Sequence, residues 1–201
     1  MAGYAYYDGA ITPDMKIKVK TGLLDAARQV PSPNFNERPP GTRPELIVIH
    51  GISLPPGDFS GTAIDEFFTN CLDCSRHPYF REIEGLQVSS HLLIRRGGEL
   101  VQYVPFFRRA WHAGVSSYRG RENCNDFSIG IELEGTDEVP YAEVQYEQLT
   151  EVVSCLLGTY DSLSAEAIVG HSDIAPGRKT DPGPAFDWSY FRQRLDLTLK
   201  R

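Results

Sequence analysis

The chain has no long hydrophobic run. No apolar stretch exceeds the four residues Leu46–Ile49, whereas a membrane-spanning helix needs roughly 18 in succession. It is also short of positive charge: 20 Lys plus Arg stand against 27 Asp plus Glu, a net charge of −7. A nucleic-acid binder needs a basic face to neutralise phosphates, so that partner class is excluded. Met1 to Lys20 is polar, aromatic and interrupted, without the basic start and apolar core of an export signal. The expectation is a soluble, cytoplasmic protein with no membrane contact. Cysteine is scarce: Cys71 and Cys74 form one C-x-x-C pair, and Cys124 and Cys155 stand singly. A structural zinc knuckle needs a second pair, so reduced thiols are expected. Internal repeats and low-complexity tracts are absent. What remains is 201 residues, 41% apolar and 11% aromatic, enough for one real core and too short for two comfortable domains.

Hydrophobic periodicity places the elements. Thr21–Val30, with Leu23, Leu24, Ala27 and Val30, reads as a short amphipathic helical turn, followed by an extended Pro-rich lead-in through Gly41. Leu46-Ile47-Val48-Ile49 is an uninterrupted, mostly β-branched run, the pattern of a strand buried on both faces. Thr62 followed by Asp65, with Ile64, Phe67, Phe68 and Cys71 at helical spacing, predicts a capped helix. Val88–Ile94 and Glu99–Val104 predict a hairpin around Arg95-Arg96-Gly97-Gly98. In the strand Ser128–Glu134, Ile129, Ile131 and Leu133 share one face, and Gly130, Glu132 and Glu134 the other. Ala142–Leu157 steps by three and four and predicts a helix, Ala167–Val169 a short strand, and a last helix starts after Asp187 as N-cap. Strands interleaved with helices give a mixed α/β domain, a central mixed sheet flanked by helices.

Of the five histidines at 50, 77, 91, 112 and 171, His50 and His171 each sit where a strand runs out into a loop, the place where α/β folds build their sites. Asp181 follows ten residues after His171, in a loop whose shape is set by Pro176, Gly177, Pro182 and Gly183. Two histidines and one carboxylate form a three-ligand set for a catalytic zinc with an open fourth position. On the residues alone, this reading and two ordinary loop histidines both stay open. His91 reads as a core histidine or a support to the ligands, and His77 as a surface residue.

Five segments, in order, then carry a resemblance. They are Val48-Ile49-His50-Gly51-Ile52-Ser53-Leu54-Pro55-Pro56-Gly57, Ser89-Ser90-His91-Leu92-Leu93-Ile94, Arg109-Ala110-Trp111-His112-Ala113-Gly114, Asn125 through Gly135, and Gly170-His171 through Pro182-Gly183. Together they resemble the AmpD-type N-acetylmuramoyl-L-alanine amidases, in the zinc amidase superfamily with phage amidase-type lysozymes and peptidoglycan-recognition proteins. The resemblance runs from about Leu24 to Leu195, which divides the chain into an extension (1–23) and an amidase domain (24–201) with an amidase/peptidoglycan-recognition-like fold. It implies one Zn2+ held by His50, His171 and Asp181, with Glu132 as the catalytic carboxylate and Lys179 as the oxyanion's cation. Glu134, on the same strand face as Glu132, is expected to be solvated or to support the ligands. The implied substrate is a cytoplasmic 1,6-anhydro-muropeptide, cleaved between the lactyl group and L-alanine. No obligate protein partner is implied. His112 and Ala113 match a segment near the family's substrate groove. The run Arg108, Arg109, Arg119 and Arg121 is the expected basic patch for stem-peptide carboxylates, with Arg121 among the substrate-binding residues. The alternatives are a non-catalytic peptidoglycan-binding module and a zinc peptidase acting on the stem peptide. One departure stands out: where the family commonly has Asn after the first histidine, this chain has Gly51.

Overall fold

In a computed structural model, residues 15–200 are described. Along the chain lie β1 (Ile17–Lys18), β2 (Leu23–Leu24), β3 (Arg28–Gln29), β4 (Phe35–Asn36), β5 (Leu46–Ile52), α1 (Ala63–Phe68) and α2 (Pro78–Glu82). They are followed by β6 (Leu92–Ile94), β7 (Leu100–Gln102), β8 (Arg109–Ala110), β9 (Ser117–Tyr118), β10 (Arg121–Glu122) and β11 (Ser128–Glu134). The chain closes with α3 (Glu143–Thr159), β12 (Ile168–Gly170), α4 (His171–Ile174) and α5 (Trp188–Thr198). Six strands form one sheet in the order β12-β5-β11-β6-β7-β3. The pairs β12–β5, β5–β11 and β11–β6 are parallel, β6–β7 is antiparallel and β7–β3 parallel. The sheet is therefore mixed, as the sequence predicts.

Strand alternation sorts the core into layers. Ile47 and Ile49 of β5, Ile129, Ile131 and Leu133 of β11, and Leu92 and Ile94 of β6 pack against Leu149, Val153 and Leu156 of α3 and Phe191 and Leu195 of α5. Full burial of each such side chain contributes about 1.5–3 kcal/mol. On the other face, Leu93 and Val101 meet Ile64 and Phe68 of α1 and Phe80 of α2. Both long helices have defined starts. The Ala142 N–H donates to Gln145 Oε1 (3.0 Å), while Gln145 Nε2 reaches the carbonyls of Ile94 and Glu134 and ties α3 to the sheet. The Asp187 side chain accepts from the Tyr190 N–H, as expected of an N-cap.

Several local expectations are corrected. Thr21–Val30 is not helical: Leu23–Leu24 pairs with Ile17–Lys18, and Arg28–Gln29 is the sheet's edge strand beside β7. Gln102 Oε1 accepts the Leu24 N–H across a separation of 78 residues, a contact that local spacing cannot announce. The β1–β2 hairpin lies across the expected boundary at residue 24, and Ile17 belongs to the main core. The rest of the expected extension, residues 1–14, lies outside the described residues. Thr62 stands at the N-cap of α1, but its hydroxyl donates to Glu66 Oε1 (2.6 Å) and accepts no backbone N–H of the first turn.

One half-buried cation braces the approach to the site. The Arg38 guanidinium donates to the carbonyls of Phe106, Phe107, Asn125, Asp126 and Ser128. It thereby ties the lead-in segment to the start of β11.

Candidate active site

Three parallel strands end on one edge and supply the reactive residues. The register pairs Gly170 with Ile49 and Glu132 with His50. His171, the next residue after β12, therefore stands in one row with His50 and Glu132. His50 projects from the face opposite Ile47 and Ile49, away from α3.

The His50 and His171 Nδ1 atoms lie 3.0 Å apart, and each lies 3.1 Å from Asp181 Oδ2. The surrounding hydrogen bonds fix which nitrogens carry protons. His171 Nε2 faces the Ala113 carbonyl at 3.1 Å, which can only accept, so Nε2–H is the donor and Nδ1 is bare. Ser128 Oγ–H donates to the Cys124 carbonyl (2.6 Å), so it accepts from His112 Nε2–H (3.1 Å). His112 Nδ1 then accepts from His50 Nε2–H (2.9 Å), which leaves His50 Nδ1 bare as well. Three lone-pair atoms thus converge with no proton between them, an arrangement that repels itself unless a cation lies at its centre. A tetrahedral cation with bonds of about 2.0–2.1 Å spaces its ligand atoms by about 3.3 Å, close to the triangle seen here. Burial holds His50 down at about 4 against the pull of the Asp181 carboxylate. Burial also acts to raise the Asp181 carboxyl, but the adjoining His171 and His50 imidazoles prevail and hold it well below the usual range. A neutral imidazole and an ionised carboxylate are the forms that bind a divalent cation.

Glu132, 7% exposed, faces the same cavity. Burial, reinforced by the charge of Asp181 and opposed by that of Lys179, raises its carboxyl well above the usual range. An acid so shifted suits proton transfer near neutral pH. Glu134 is engaged elsewhere. Its carboxylate takes Arg95 Nη1 (3.2 Å) and the Arg96 N–H (2.9 Å), and it is 2% exposed, so it is not a solvated group. The cavity holds about 530 Å³ and brings together His50, His112, Glu132, His171, Lys179 and Asp181.

His112 lines this cavity and is the partner that orients His50, a role whose sequence signal is hidden by the 62 residues between them. Gly130 makes room for it, because a Cβ there would come within 2.5 Å of the imidazole. Ala113 is buried, and its backbone is fully engaged: N–H to Asn125 Oδ1, carbonyl to His171 and Arg178. Arg121 is absent from the cavity wall; it pairs with Glu45 at 2.8 Å and lies over the Phe127 ring. The other expected patch residues are taken up as well, Arg108 by Glu37, Arg109 by Asp126, and Arg119 over Tyr118. Among the described lining residues Lys179 is the only Lys or Arg. His91 is buried: Nδ1 accepts the Gly130 N–H and Nε2–H donates to the Arg108 carbonyl. Sequence reasoning missed Asn125 and Arg178, which hold the 113–115 segment from its two sides. No spacing signal links them to it.

A mixed sheet presenting two imidazoles and a carboxylate that could hold a metal ion, with a raised carboxyl beside them, is the arrangement of a hydrolase. The N-acetylmuramoyl-L-alanine amidase family matches residues 40–184, and the chain belongs to it. The chain is 59% identical over 177 residues to the 1,6-anhydro-N-acetylmuramyl-L-alanine amidase AmpD of Enterobacter cloacae, covering 88% of this chain and 94% of that protein. A crystal structure of a selenomethionine AmpD derivative superposes with a TM-score of 0.84 at 58% identity, covering 86% of this chain and 96% of the other. AmiD of Escherichia coli, in complex with anhydro-N-acetylmuramic acid-L-Ala-D-gamma-Glu-L-Lys, gives a TM-score of 0.54 at 29% identity over 80% of this chain and 65% of its own.

Proposed function

We propose that this chain is a zinc-dependent amidase that cleaves 1,6-anhydro-muropeptides between the lactyl group of the sugar and L-alanine, in the cytoplasmic recycling of peptidoglycan. The observation that carries the reading is the proton-free triangle of His50, His171 and Asp181 in a chain alike over most of its length to AmpD. These three residues would hold one Zn2+, which would supply the Lewis acidity that makes water a nucleophile at neutral pH. Glu132 takes a proton from the attacking water as the oxygen adds to the amide carbon. It delivers that proton to the L-alanine nitrogen as the C–N bond breaks. The Lys179 ammonium faces the oxygen that gains charge. His112, anchored on Ser128, keeps the His50 ring and its tautomer in place.

The test is mass spectrometry of an anhydro-muropeptide incubated with zinc-loaded protein. The expected products are the anhydro sugar and the whole stem peptide beginning with L-alanine, and His171→Ala or Asp181→Ala abolishes both zinc uptake and cleavage. Substrate bound but left intact would make the protein a binding module, and a cut after L-alanine would make it a peptidase.

A further inference from the structure

Tyr141 lies outside the cavity wall and takes no part in the steps above, yet it touches the ends of β5 and β11 and the loop that carries Asp181. It is 6% exposed and immediately precedes the N-cap of α3. Its ring sits edge-on to Phe186, with centroids 5.6 Å apart. Its hydroxyl donates to the Pro182 carbonyl at 3.0 Å, one residue past Asp181. The ring and hydroxyl also fill the space beside two glycines. A Cβ at Gly51, next to His50, would fall on the Tyr141 hydroxyl, and one at Gly135, just past β11, would fall on the ring.

Among the described residues, the side-chain atoms within 3.1 Å of the Asp181 carboxylate are the bare Nδ1 atoms of His50 and His171, and no donor fixes it. Its aim is therefore set by its backbone. On one side the Asp181 carbonyl is held by the Ser172 N–H at 3.0 Å, which ties it to the helix that starts at His171. On the other side the tie is Tyr141. We propose that Tyr141 is a positioning residue for the metal-binding carboxylate, seated in the space left open by Gly51, and that Gly51 and Tyr141 work as a pair. This gives the missing side chain at position 51 a physical account: the room is occupied by the phenol that steadies the opposite ligand. The inference rests on the metal assignment made above.

Two substitutions and their combination test it, read by the zinc dissociation constant in competition with a chromophoric chelator and by the absorption spectrum of the cobalt-loaded protein. Tyr141→Phe keeps the ring and removes the hydroxyl. Loss of such an outer partner costs about 10–100-fold in metal affinity, so the dissociation constant should rise by about tenfold or more and the cobalt spectrum should change, while the metal-free fold stays intact by circular dichroism. Gly51→Ala in the wild-type background should weaken zinc binding too, because the new methyl displaces the hydroxyl. In the Tyr141→Phe background the nearest atoms left to the methyl are the Pro182 Cα at 3.5 Å and the ring Cζ at 3.6 Å, ordinary contacts, so Gly51→Ala should add nothing further. Zinc affinity unchanged in Tyr141→Phe, or an equal cost of Gly51→Ala in both backgrounds, would overturn the pairing while leaving the metal assignment standing. A wild-type chain that takes up no divalent cation would overturn both.

Discussion

Glu132→Gln preserves side-chain volume and removes only the ionisable oxygen, and its effects on activity and on folding should have opposite signs. A positioned general base contributes about 10²–10⁴-fold, and at 1.36 kcal/mol per factor of ten that is about 2.7–5.4 kcal/mol of barrier. Zinc should remain bound, because Glu132 is not among the three atoms of the ligand triangle. Stability should rise. Among the described residues no side-chain hydrogen bond offsets the burial of Glu132, the charge of Lys179 opposes it only in part, and its folded pKa lies above the unfolded value of 4.5. A carboxyl raised in this way favours the folded state at acid pH. The penalty appears as pH climbs through 4.5 and is complete above the folded value. At neutral pH the metal-free Glu132→Gln chain should therefore melt higher than wild type, each kcal/mol recovered adding about 2–4 °C at this chain length. A bound dication offsets the same charge, so the gain should shrink when zinc is present. The assays are muropeptide turnover and calorimetry of the metal-free and zinc-loaded forms. Turnover within tenfold of wild type, or a lower melting point in the metal-free variant, would refute the reasoning.

Lys179→Ala should lower kcat by about 10²–10³ with zinc content unchanged, as expected of a donor to a developing oxyanion; steady-state kinetics with metal analysis checks it. Arg38→Met strips a partner from the carbonyls of Phe106, Phe107, Asn125, Asp126 and Ser128. It should destabilise the fold by about 3 kcal/mol, and a melting point within about 2 °C of wild type would contradict that. His91 is held at about 3 by burial and the neighbouring Arg38, against an unfolded 6.5. Its contribution is full above pH 6.5 and drains away as pH falls toward 3, by up to about 1.4 kcal/mol per pH unit. Melting points from pH 7 to 4 should fall less steeply for His91→Gln.

The elements that were legible in the sequence are those whose cause is local. Leu46–Ile49 and the parity of Ser128–Glu134 announce buried strands, the three-and-four steps of Ala142–Leu157 announce α3, and Asp187 announces α5. The residues misread are those whose partners are far away in sequence. Leu23 and Leu24 look helical until Gln102 arrives from 78 residues on. Arg108, Arg109, Arg119 and Arg121 look like a patch until Glu37, Asp126, Tyr118 and Glu45 claim them one by one. His171 was legible at a strand end and Glu132 by the parity of its strand, whereas His50, expected at a strand end, lies inside β5, which runs on to Ile52. The tie from Tyr141 to Pro182, across 41 residues, had no signal at all.

The pairing of His50 with Glu132 in the ladder between β5 and β11 means that the backbone spacing of neighbouring strands, about 4.8 Å, is the ruler between the proposed ligand and the proposed base. Shifting either strand by one residue would turn its reactive side chain to the opposite face, so the chemistry tolerates no drift in register. The segments that close the cavity are under no such rule. Loop 53–57 and helices α1 and α2 lie outside the strand ladder that sets the row. Substrate range and bond-breaking are thus written on separate parts of the chain, and descendants of this sequence can alter the first while inheriting the second unchanged.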